Sequence, residues 1–215
     1  MKANNYSIKR RNFKEFYFEN EILVEPFGFP KIYSSISMTG EFYPFNKYMS
    51  LKDKNVCVHF FIDDYQFERL WTNTTQYIEV LKKAKVVLSP DFSMYIDMPK
   101  AVQIYNCYRS RALAKFLQKN GVNIVPVVCW SDEDSFAWCF DGIKRGSNVA
   151  VSSNGCYQNP KARQNFLKGF NEMIERIKPN YIYFVGKVPK EIETTKNLII
   201  VKSEGQIFAE TKWRE

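Results

Sequence analysis

Residues 86–130, VVLSPDFSMYIDMPKAVQIYNCYRSRALAKFLQKNGVNIVPVVCW, restrict the fold more than any other stretch of the chain. A short apolar run ends in Ser89-Pro90-Asp91, a long amphipathic segment follows, Asn120-Gly121 stops it, and a second apolar run begins. Two strands joined by a helix of that length are expected to lie parallel in one sheet, because antiparallel neighbours need only a short turn. Within the helix, Ala101, Ile104, Tyr105, Tyr108, Ala112 and Phe116 recur at three- and four-residue spacings and predict an apolar stripe against the sheet. Asp97 suits the cap at its start and Pro99 the first turn, while Gly121 can take the left-handed conformation that ends a helix. Arg109 and Arg111 fall inside this segment. An arginine beside Tyr108 either extends to water or reaches a carboxylate at a strand end.

The same alternation runs through the rest of the chain. Residues 55–62, NVCVHFFI, form a strand that runs into Asp63-Asp64, and a helix over 77–84 leads to the strand at 86–88. Further strands are expected at 148–151, 181–185 and 198–201, with a weaker one at 21–24. Pro160 opens a helix whose apolar positions include Phe166, Phe170, Met173, Ile174 and Ile177, and a short helix is expected over 135–140. About seven strand candidates result, apolar throughout rather than alternating, as buried parallel strands are. The expectation is one α/β domain with a mainly parallel sheet. Closure resembling a (β/α) barrel is preferred, since seven candidates approach the eight of a full barrel, and an open doubly wound sheet is the alternative. Residues 1–54 read as a basic arm and an irregular aromatic region packed on an α/β core of residues 55–215.

Charge and composition narrow the functional classes. The 215 residues carry 31 basic and 23 acidic side chains, a net charge of +8, and 16% aromatic residues. Lys9, Arg10, Arg11 and Lys14 are interleaved with Tyr6, Phe13, Phe16 and Tyr17. Such an arm either follows a phosphate backbone and stacks on bases, or docks its aromatics onto the domain. No run approaches the roughly 18 apolar residues of a membrane span, and no apolar signal-peptide core opens the chain, so a cytoplasmic protein without membrane partners is expected. Cys57, Cys107, Cys129, Cys139 and Cys156 form no C-x-x-C pair, and His59 is the sole histidine. That pattern reads as reduced, buried thiols and argues against a metal held by cysteine. His59, inside an apolar strand, reads as a core residue.

In a parallel α/β fold, the carboxyl ends of the strands gather the polar residues that bind ligands. Asp63 and Asp64 follow one strand, Ser89 and Asp91 the next, and Asp132, Glu133 and Asp134 come just after Trp130. Ser152, Ser153 and Asn154 follow another strand, and Lys187 the one after it. Asp64, Asp91 and Arg109 are the candidate catalytic residues, with Ser89, Arg111, Trp130, Ser152, Ser153, Asn154 and Lys187 as candidate substrate contacts. Lys9, Arg10, Arg11 and Lys14 are candidate nucleic-acid contacts. Carboxylates so placed can act as a general base or hold Mg²⁺ through oxygen. Each also has a structural reading. Asp91 after Ser-Pro suits a turn, the 132–134 cluster suits a helix start, and Asp63 and Asp64 cannot both point inward from a regular strand.

The runs FIDDYQFERLW, LSPDFSMYIDMP, QIYNCYRSRAL and CFDGIKRGSNVAVSSNGC, in this order within residues 55–186, resemble domain-of-unknown-function family 4417. The resemblance implies a protein of phages and other mobile elements, acting inside a bacterial host cell. It implies no reaction and no catalytic residues. Two functions are carried forward. One is an enzyme whose strand-end pocket acts on a nucleotide, a nucleobase or a nucleic-acid strand. The other is a non-catalytic factor that binds nucleic acid or protein during phage replication or host takeover.

Overall fold

The computed structural model describes Lys14 and residues 21–202, and in it seven short parallel strands carry the fold. A two-stranded antiparallel ribbon, β1 (Leu23–Val24) and β2 (Phe29–Pro30), precedes them. A four-stranded parallel sheet follows in the order β3 (Phe42–Pro44), β4 (Cys57–His59), β5 (Val86–Leu88) and β6 (Ile124–Val125). A three-stranded parallel sheet contains β7 (Val149–Ser152), β8 (Ile182–Val185) and β9 (Leu198–Val201). A parallel bridge between Val127 and Ala150 joins the two sheets. Val128 N–H donates to Ala150 O at 2.8 Å, and Ala150 N–H donates to Pro126 O at 2.9 Å.

The seven strands therefore lie side by side in chain order. A doubly wound sheet must reverse its strand order at a switch point, and among the described residues no reversal is present. One apolar cluster draws on every parallel strand, with Phe42, Cys57, Val86, Leu88, Val125, Ala150, Tyr183, Val185 and Val201 among its members. Tyr183 of β8 meets Phe42 of β3 edge-on at 5.9 Å, and its hydroxyl donates to Met38 O at 2.7 Å. The sheet thus curls around a filled interior in the manner of a (β/α) barrel, although among the described residues no ladder joins β9 to β3.

Successive side chains of a strand point to opposite faces, and in β4 to β8 both faces are buried, which explains their unbroken apolar runs. Val86 and Leu88 face the interior, while Val87 joins an outer cluster with Val58, Phe60, Leu113 and Leu117. On the other side Val149, Val151, Ile182 and Phe184 pack against Phe166, Phe170, Met173 and Ile177.

Among the described residues the helices are α1 (Phe45–Tyr48), α2 (Glu68–Thr72), α3 (Ile78–Leu81), α4 (Lys100–Lys119) and α5 (Pro160–Ile177). In α5, Asn159 Oδ1 accepts from Ala162 N–H at 2.8 Å and Pro160 fills the first position. Its apolar side lies where the spacing places it. Short 3₁₀ turns at Thr74–Tyr77 and Glu133–Ala137 stand near the helices expected over 77–84 and 135–140.

Two expectations need correction. The buried side of α4 only partly follows the predicted stripe: Ala112 is buried and Ile104, Tyr108 and Phe116 pack against the core, whereas Ala101 and Tyr105 are exposed and Gln103, Asn106, Cys107, Arg111, Leu113, Ala114 and Leu117 are buried beside them. Polar groups occupy that side because they hold loops, as described below. Asp97 does not cap α4, which starts after Pro99 without a side-chain cap. The aromatic region before residue 55 supplies β3, whose Phe42, Tyr43 and Pro44 pair with Cys57, Val58 and His59.

Candidate functional site

The turn after β4 sends its two aspartates in different directions. Asp63 is exposed, whereas Asp64 opens the 3₁₀ turn Asp64–Gln66 and turns inward. Its carboxylate accepts from the Ser93 hydroxyl at 2.9 Å and from Ser93 N–H at 3.2 Å. Burial raises its pKa, while the Ser93 bonds and the nearby Arg109 charge pull it back. Asp91 leaves the end of the adjacent strand β5 and is more strongly perturbed. Burial, then the neighbouring Asp64 charge, push its pKa up to about 7, against the opposing pull of the Cys129 thiol that donates to it and of Arg111. Cys129 is half-buried, and the same burial and the same carboxylate push its thiol well above the ordinary value. The structure thus brings two carboxylates to the carboxyl ends of neighbouring parallel strands, where the charge of Asp64 adds to the burial of Asp91.

The two arginines of α4 divide their work. Arg109 does not pair with Asp91. Its guanidinium donates to both carboxylate oxygens of Glu68, at 2.9 and 2.8 Å, and to Asn106 Oδ1 at 2.8 Å, and it lies 3.7 Å above the Phe92 ring. Its Nε is buried with no partner among the described residues. Arg111 is 2% exposed and donates to three backbone carbonyls, Asp141 O at 3.1 Å, Val127 O at 2.8 Å and Cys139 O at 2.7 Å. It is the arginine whose charge acts on Asp91. A guanidinium locked to three carbonyls is a brace for the loops rather than a group free to grip a substrate.

The loops that build the site are tied to α4 and to one another. Gln103 donates to Tyr95 O at 3.0 Å and Met98 O at 2.9 Å, and accepts from the Ser131 hydroxyl at 2.5 Å. Asn106 donates to Ser93 O at 2.6 Å, which seats the residue that holds Asp64. Asn165 of α5 donates to Ser131 O. Asp91, Cys107, Arg111 and Cys129 line a small cavity with Phe92, Met94 and Asn106. Met94 also lines a wider cleft of about 520 Å³ at the same end of the strands, walled by Tyr95, Asp97, Trp130, Asn154, Gln158 and Asn165 among others.

The remaining predicted residues separate. Trp130 and Asn154 line the cleft. Ser89 is fully buried and accepts from Val127 N–H at 2.8 Å, which joins β5 to the extension of β6. Ser152 accepts from Asn154 N–H at 3.1 Å, and Ser153 is buried with its hydroxyl 3.4 Å from Val185 O. These serines fasten strand ends. Lys187 is exposed, its ammonium 5.4 Å from the Tyr157 ring centre, where Arg163 also stands at 5.0 Å. Lys9, Arg10 and Arg11 lie outside the described residues. Lys14 donates to Thr72 O at 3.2 Å and lies 5.9 Å from the Trp71 ring centre. Asp132 and Asp134 bind Lys100 at 2.6 and 3.4 Å, and Glu133 binds Lys168 at 2.5 Å, so this cluster is an ion-paired helix start. His59 is buried, with Nδ1 accepting from Phe61 N–H at 3.3 Å. Among the described residues no three His, Cys, Asp or Glu side chains are grouped to hold a metal ion.

Sequence reasoning passed over Gln103, Asn106, Cys129 and Asn165. Gln103, Asn106 and Ser110 recur at helical spacing, and a polar row on a helix flanked by strands is the signal that marks them. Cys129 carries no such signal, because only the neighbouring strand brings Asp91 to it.

The chain is 39% identical over 131 residues to the Gene 1 protein of Mycobacterium phage L5, a match that covers 61% of this chain and 57% of that protein. It is 36% identical over 131 residues to the Gene 1 protein of Mycobacterium phage D29, covering 48% of it. The matched segment thus spans about half the length of these phage relatives. No solved structure matches the chain. Among the described residues no helix is long and apolar enough to cross a membrane. The model of the domain of unknown function DUF4417 matches residues 22–203, so the resemblance extends beyond 55–186 to take in β1 to β3, and the chain belongs to that family.

Proposed function

We propose that this protein is an enzyme that uses Asp91 to move a proton on a nucleotide, nucleobase or nucleic-acid substrate, in the cytoplasm of a phage-infected bacterial cell. The observation that carries the reading is the Asp64–Asp91 pair at the ends of β4 and β5, with Asp91 raised to about 7. A carboxyl with that pKa exists in both protonation states near neutrality, so it can accept a proton from a substrate and return it. Asp64 is itself raised by burial, against the pull of its Ser93 bonds and the Arg109 charge, and its own charge adds to the rise on Asp91. Arg109 acts at one remove. By holding Glu68 and Asn106, it fixes the loop that carries Ser93.

The alternative, a non-catalytic nucleic-acid or protein binder, draws on the +8 charge. The contacts of Lys14 with Thr72 and Trp71 support docking of that part of the arm onto the domain instead.

The test is product analysis by mass spectrometry after incubation with ribo- and deoxynucleotides, free bases and short oligonucleotides, comparing the natural protein with Asp91→Asn. Conversion of one substrate that Asp91→Asn abolishes, in a variant that still melts cooperatively, is the expected result. Equal rates in the two proteins, or no conversion of any member of the panel, would overturn the reading.

A further inference from the structure

The wider cleft shares Met94 with the small cavity that Asp91 lines, and it has a chemistry of its own. Its walls combine aromatic rings with side-chain amides and one carboxylate, and cationic side chains are not among them. Trp130 is half-buried and immobilised. Its ring lies 5.3 Å from Phe166 and 6.2 Å from Phe140, and it presses so closely on α5 that a Cβ at Gly169 would collide with the indole. Tyr95, on the loop between β5 and α4, is 61% exposed, although Gln103 anchors its backbone carbonyl. An exposed ring on an anchored loop and a fixed indole therefore share one cavity.

Asn154 and Gln158, both exposed, supply donors and acceptors in the same cavity, and Asp97 supplies a carboxylate. Just outside it, Lys187 stands over Tyr157, the residue preceding Gln158, beside Arg163, whose guanidinium is paired with Glu191 at 3.0 and 2.7 Å. Apolar flat surface, amide edges, one carboxylate and a cationic rim are what a nucleoside monophosphate asks of a site. The base stacks, its polar edge meets the amides, the ribose hydroxyls meet the carboxylate, and the phosphate meets the rim. A volume of about 520 Å³ suits one such molecule and is too small for a duplex.

We infer that the cleft binds a single mononucleotide, with its base stacked on Tyr95 and Trp130. The inference rests on the proposed function for its substrate class and narrows it from nucleic acid to a free nucleotide.

The experiment is a tryptophan-fluorescence titration of the full chain with the 5′-monophosphates of adenosine, guanosine, cytidine and uridine, and with oligodeoxythymidine. It compares the natural protein, Tyr95→Ala and Tyr65→Ala, the last removing an exposed tyrosine that does not line the cleft. Saturable quenching by at least one mononucleotide is expected, weakened about tenfold by Tyr95→Ala and unchanged by Tyr65→Ala. Trp130→Phe should remove most of the quenching amplitude. The inference is overturned if no mononucleotide saturates by millimolar concentration, if only the oligonucleotide binds, or if Tyr95→Ala binds as the natural protein does. Failures of the two readings separate cleanly. Tyr95-dependent binding without turnover upholds the site and removes the reaction, whereas Asp91-dependent turnover with an unchanged KM in Tyr95→Ala does the reverse.

Discussion

Replacing Asp91 by Asn should stabilise the protein above neutral pH and do little in acid. Burial and the Asp64 charge raise the Asp91 carboxyl from 3.8 to about 7 in the folded chain. Below about pH 4 the group is protonated in both folded and unfolded states, and its burial carries no electrostatic penalty. Between about pH 4 and 7 the unfolded chain releases the proton while the native state keeps it. The native state then binds more protons, so stability falls as pH rises, and above pH 7 the loss is complete. A displacement of that size corresponds to roughly 4 kcal/mol, an upper figure for a half-buried side chain. Asparagine keeps the shape, can accept the Cys129 thiol and never ionises. Urea denaturation followed by circular dichroism at pH 5, 6, 7 and 8 should show the advantage of Asp91→Asn growing with pH, towards a few kcal/mol. Asp64, raised in the same direction, contributes to both proteins, so the difference between them is the diagnostic quantity. A difference that does not change from pH 5 to 8 would refute the idea that a buried, coupled carboxylate occupies this position. A variant that loses ground as pH rises would do the same.

Arg111→Lys should lower unfolding free energy by roughly 3–5 kcal/mol in the same assay, because one ammonium cannot replace three bonds to Asp141, Val127 and Cys139. Gly169→Ala should cost about 1–3 kcal/mol and shift the tryptophan emission to longer wavelength, as the added methyl displaces the Trp130 indole. Removing residues 1–13 should reduce salt-sensitive affinity for nucleic acid while leaving the melting temperature in place, and filter binding at low and moderate salt measures this.

The sequence carried the strand–helix alternation because both faces of each central strand are buried. Apolar runs such as Val86-Val87-Leu88 and Val149-Ala150-Val151 then have no polar alternation to blur them. β3 escaped because it is three residues long and ends in Pro44, a residue that normally argues against a strand. At this edge of the sheet, and with its N–H not needed by β4, proline is tolerated. Asp64 and Asp91 were legible as strand-end carboxylates, since position in a parallel sheet follows from the order of elements alone. The partner of Arg109 was not. Helix α4 runs back from the strand ends, and the side chain finds Glu68 on α2, forty-one residues earlier. Pairing between elements that are far apart in sequence depends on how they pack, which periodicity does not encode. For the same reason Ser89 and Ser153 read as ligand contacts, when their hydroxyls fasten strand ends.

The buried side of α4 explains how these parts serve one another. Gln103, Asn106 and Arg111 sit where aliphatic residues would pack at lower cost, and a buried polar group without a partner is destabilising by about 1–3 kcal/mol. Each is satisfied by a loop rather than by the sheet. Gln103 holds the Tyr95 and Met98 carbonyls and Ser131, Asn106 holds the Ser93 carbonyl, and Arg111 holds the carbonyls of Val127, Cys139 and Asp141. Those loops carry Asp91, the Ser93 partner of Asp64, and the Tyr95 and Trp130 walls of the cleft. A helix that gives up apolar contacts in order to order three loops makes the Asp64–Asp91 geometry rigid before any ligand arrives. Burial is the larger reason that Asp91 stays protonated at a pH where an ordinary aspartate is not, and a rigid Asp64 that cannot turn away adds its charge to that effect.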